Sequence, residues 1–157
     1  SSDLTMLASF LSFLQENDLV RIGEMSKDTN AGSENRRKAQ KYVFLARRFG
    51  LTLNYDFNRY LAGPYSPQLV NECFDMGDDF DGEMVKPLPS TFDSEGFLRL
   101  VKDRDHEWLI IGATLLDMKP KFESITALVD HLEYIEPNVT RDYIESVLTD
   151  LQKNRLT

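Results

Sequence analysis

Residues 36–76 read RRKAQKYVFLARRFGLTLNYDFNRYLAGPYSPQLVNECFDM, and the rest of the chain is organised around them. From about Asn35 to Phe49, the apolar residues Ala39, Tyr42, Val43, Leu45, Ala46 and Phe49 recur at helical spacing, which predicts an amphipathic helix. Arg36, Arg37, Lys38, Lys41, Arg47 and Arg48 fall on its other side, the side that a surface helix turns to water. Gly50 is expected to end it, because glycine enters the left-handed region without a Cβ penalty. Along Thr52 to Leu61, the residues Leu53, Tyr55, Phe57 and Tyr60 are apolar at nearly every second position, the pattern of a short strand or extended arm. Gly63-Pro64 predicts a sharp turn. Ser66 is placed to cap the next helix, and Pro67 takes its first position, where an N–H is not needed. That helix, Pro67 to Met76, is expected to bury Leu69, Val70, Cys73 and either Phe74 or Met76.

Lys-Ala-Gln-Lys-Tyr-Val-Phe-Leu at 38–45, Tyr-Asp-Phe at 55–57, Tyr60, and Gly-Pro-Tyr-Ser-Pro at 63–67 with Leu69 together resemble the YwgA-like family. More distantly, they are similar to the Panacea domain of phage-associated antitoxins, whose pattern also couples a Lys-x-x-Lys helix to a Gly-Pro turn. The resemblance covers about a quarter of the chain. It implies a compact, mostly helical protein with no established chemistry, and, on the Panacea side, action by contact with a toxin partner. Tyr65-Ser66 inside the turn departs from the Panacea pattern.

Outward from this stretch, Asp3 to Gln15 reads as a helix apolar over more than half its circumference, so it should be central or face two neighbours. Leu19 to Met25 suits a short second piece, and Ser26 to Asn35 is a polar run of turn formers, read as a loop. Beyond Met76 come an acidic stretch and the breaks at Pro87 and Pro89. Asp93 or Ser94 can cap a short helix ending at Val101. Asp105 to Met118 predicts a longer helix, in which Gly112 and Ala113 leave room for another helix to approach. Residues 124–135 and 141–154 form two amphipathic helices joined by Glu136-Pro137-Asn138-Val139, with Thr140 as cap: a helical hairpin or a helix-turn-helix. The expected fold is a mainly α single domain over 1–157: a compact bundle of about six or seven helices, one short extended arm or hairpin, and a C-terminal helical hairpin.

The net charge is −8. Residues 34–48 hold six Arg or Lys against one Glu, a local +5 that leaves −13 for the remainder. A basic helix on an acidic body suits an acidic partner; the default reading is solvated charge balanced by neighbouring acids. The tyrosines of the arm and turn, with Arg59, form either an aromatic anchor for a partner or a seal over the two helices. An acidic chain argues against nucleic acid covering its whole surface. No apolar run reaches bilayer length, no basic-then-apolar leader is visible, and a lone cysteine makes no internal disulfide, so a cytoplasmic protein without membrane contact is expected.

Chemistry finds little purchase. With Gly82 set as the sixth position of a calcium loop, Gly77 falls first and Leu88 twelfth, and neither side chain is a ligand. His106 and His131 have no Cys or His at ligand spacing. Cys73 lies on the apolar side of its helix, and Ser66 has no evident base. The expectation is therefore a non-enzymatic interaction or regulatory module without cofactor or metal. It would bind a protein partner through Arg37, Lys41, Arg48, Tyr55, Arg59, Tyr60 and Tyr65. The alternative is a nucleic-acid-binding regulator with a winged-helix-like arrangement.

Overall fold

The computed structural model describes residues 2–60 and 63–157, with only the backbone of Ser2, Asp3 and Tyr60. In chain order come α1 (Ser2–Glu16), α2 (Asn30–Ala46), β1 (Asn58–Tyr60), β2 (Gly63–Tyr65), α3 (Pro67–Asp79), α4 (Ser94–Val101), α5 (His106–Met118), α6 (Ile125–Ile135) and α7 (Arg141–Lys153). The described residues thus form a mainly helical fold with a small antiparallel hairpin, as the periodicities predict. No helix among them is long and apolar enough to cross a membrane.

Two helices make the centre. α5 is apolar on all sides, and Trp108, Leu109, Ile111, Ala113, Leu115 and Leu116 are all buried, as an all-round apolar helix must be. α2 packs against α3, α4, α5, β2 and the 3-10 turn Ile22–Glu24, so the basic helix is indeed a hub. α1 contributes Leu7, Phe10, Leu11 and Leu14, and the Phe10 ring meets Phe92 and Phe97 at 6.0 and 5.7 Å. The C-terminal α6–α7 hairpin closes the other side of α5.

The helices α2 to α7 each begin on a side-chain oxygen that accepts a backbone N–H three residues on. The caps are Thr29, Ser66, Asp93, Asp105, Ser124 and Thr140. Gly50 ends the basic helix at φ +88°, after one 3-10 turn over Arg47–Phe49.

Several expectations are corrected. α2 starts at Asn30, within the stretch read as a loop, because Thr29 accepts from Gly32 N at 3.0 Å. Gly32 also lies too close to the Lys27 and Glu24 carbonyls for any Cβ. The chain does not reverse at Gly63-Pro64; these residues lie in β2, where Tyr60 pairs with Gly63, Arg59 with Pro64 and Asn58 with Tyr65. Residues 51–57, expected to begin a strand or extended arm, belong to no strand, and Tyr55 N donates back to Leu53 O at 2.9 Å. Gly112 makes room not for another helix but for the Trp108 ring one turn back, which would lie 3.2 Å from its Cβ.

Candidate functional site

The cations of α2 do not share one fate. Arg36 Nη1 donates to the carbonyls of Met25 and Lys27 at 2.7 and 2.9 Å, and its guanidinium lies 5.3 Å from the centre of the Phe74 ring. Arg47 donates to Tyr55 O and stacks on Phe57 at 4.8 Å. Arg48 donates to Leu116 O at 3.3 Å, in the last turn of α5, where carbonyls lack helical partners. Lys38 pairs with Glu34 at 3.5 Å. Much of the basic character is therefore spent holding segment ends to α2.

Of the tyrosines of the arm and turn, Tyr55 follows the sealing arrangement. Tyr55 is buried, and its hydroxyl donates to Glu72 Oε1 on α3 at 2.6 Å. Tyr65 is half-buried. The Tyr60 side chain lies outside the described residues. Arg59 is exposed but tied to Asp117 on α5 at 3.0 Å, so the hairpin is pinned across the end of the α2–α5 pair.

Lys41 departs from the expected outer face. It is only 2% exposed, because β2 docks over the groove between α2 and α5 and covers its stem. A Cβ built on Gly63 would sit 3.0 Å from Lys41 Cε and 3.3 Å from Thr114 Oγ1. Glycine is what lets the strand come this close, and it does so at φ +92°. Among the described residues no acid pairs with the Lys41 ammonium. Burial, and secondarily the charge of Arg37, pushes its pKa down to about 8. Arg37 is exposed and is itself without an ion pair among the described residues.

His106, the first residue of α5, completes the group. Its Nε2 is buried with no hydrogen-bond partner. Burial is the largest influence on the ring; the charges of Lys41 and Arg37 come next, and together they push its pKa down to about 4, against a partial pull from Glu34. Arg37 and Lys41 stand one turn apart on α2, and the charges of both act on His106 at the start of α5. Arg48, Tyr55, Arg59 and Tyr65 are placed elsewhere along the same two helices or against α3. His106 carries no periodicity or motif that would single it out; only the packing of α5 on α2 brings it to Lys41.

Other candidates are inert by comparison. The Cys73 thiol is fully buried and pushed up to about 12 by that burial, then by Glu72, which leaves it un-ionised at neutral pH. His131 packs on the Phe122 ring at 5.0 Å. Arg141, the first residue of α7, is occupied by Asp130, Glu133 and Glu145. Comparison of the chain with protein-family models, curated proteins and solved structures finds no match.

Proposed function

We propose that this chain is a non-enzymatic cytoplasmic interaction module of the YwgA-like type, which binds a protein partner at the edge where α2 meets the hairpin. One observation carries the reading: in a chain with 26 acidic residues, no carboxylate among the described residues pairs with Arg37 or Lys41, one turn apart on α2. Unpaired buried charge is costly, so a structure that keeps it is poised to regain that cost from a partner. Anchors of this kind, a desolvated cation beside an exposed arginine, are where interface energy concentrates. A toxin-type partner is the form this takes under the Panacea resemblance.

The test is quantitative recovery of partners from the native cell with tagged wild type and with Arg37→Glu. Arg37 is exposed, so the variant should melt at an unchanged temperature. A protein retained by wild type and lost by the variant is the expected result. Equal recovery in both removes this surface from the interaction.

A further inference from the structure

We draw no further inference here: the strongest candidate, the open polar cleft of about 580 Å³ between the end of α1, the 3-10 turn Ile22–Glu24 and the first turns of α2, carries nothing, because Asn35 and Gln15 already accept from the backbone N–H groups of Arg21 and Ile22, Lys38 already pairs with Glu34, and nothing in the structure shows what would fill it.

Discussion

The Gln40 side chain and the Ser66 backbone bond to each other twice: Nε2 donates to Ser66 O and Oε1 accepts from Ser66 N, both at 2.9 Å. Gln40 is 0% and Ser66 1% exposed, so these are dry bonds. They pin the end of the hairpin and the start of α3 to the middle of α2. Gln40→Ala leaves a buried donor and a buried acceptor unsatisfied, at a cost of about 2–4 kcal/mol. Urea unfolding at fixed m-value should show it.

Lys41→Met should stabilise the free protein. Lys41 falls from 10.5 to about 8 on folding, so between those values the unfolded chain holds a proton the folded one lacks, and stability rises with pH. Below about 8 the destabilisation is fully present, ~1–3 kcal/mol. Cys73 and Tyr42, each raised to about 12, act oppositely above their ordinary values of 9.0 and 10.0. The quantity to follow is therefore the difference between variant and wild type. It should be largest below pH 8 and shrink toward pH 10.5. A difference that does not vary with pH would mean the ammonium is not desolvated.

Asp150 ties α7 to α5 by accepting from Trp108 Nε1 at 2.9 Å and from Arg104 Nη1 at 3.1 Å, while Arg104 lies over the Trp108 ring at 4.5 Å. Asp150→Ala should cost about 1–3 kcal/mol and shift the emission of this single tryptophan, because its indole N–H loses its acceptor. Asp150→Asn, which keeps an acceptor oxygen, should lose less.

Gly77 on α3 lies against the segment before α2. A Cβ there would fall 2.3 Å from Ser26 N, whereas one at Gly23 would meet nothing within 4 Å. Gly77→Ala should cost more than about 2 kcal/mol and Gly23→Ala within about 0.5 kcal/mol of zero. Melting curves of the pair separate steric fit from general loss of glycine.

Much of the architecture was legible because it is local. Ser66, Asp93 and Thr140 cap their helices within three residues, and the apolar stripes of α1, α5 and α6 need only their own spacing. The start of α2 was not legible. Its ten-residue polar stretch carries turn formers, and Thr29 begins a helix there because Gly32 tucks under the carbonyls of Glu24 and Lys27. The candidate site was half legible. Arg37 and Lys41 stand out as part of a basic run, but a helical wheel assigns both to water.

Short-range chemistry alone therefore set this chain as a mainly helical protein with capped starts, a glycine stop at position 50 and a cation-bearing hub. Propensities and caps act over a turn or less, so neighbouring residues suffice to specify them. Whether each cation meets carbonyl, acid, solvent or nothing was decided by tertiary packing. The desolvation of Lys41 depends on β2 lying across α2 and α5, and its influence on His106 spans 65 residues of chain. Burial of a charge is set by what covers it, and that cover comes from distant sequence.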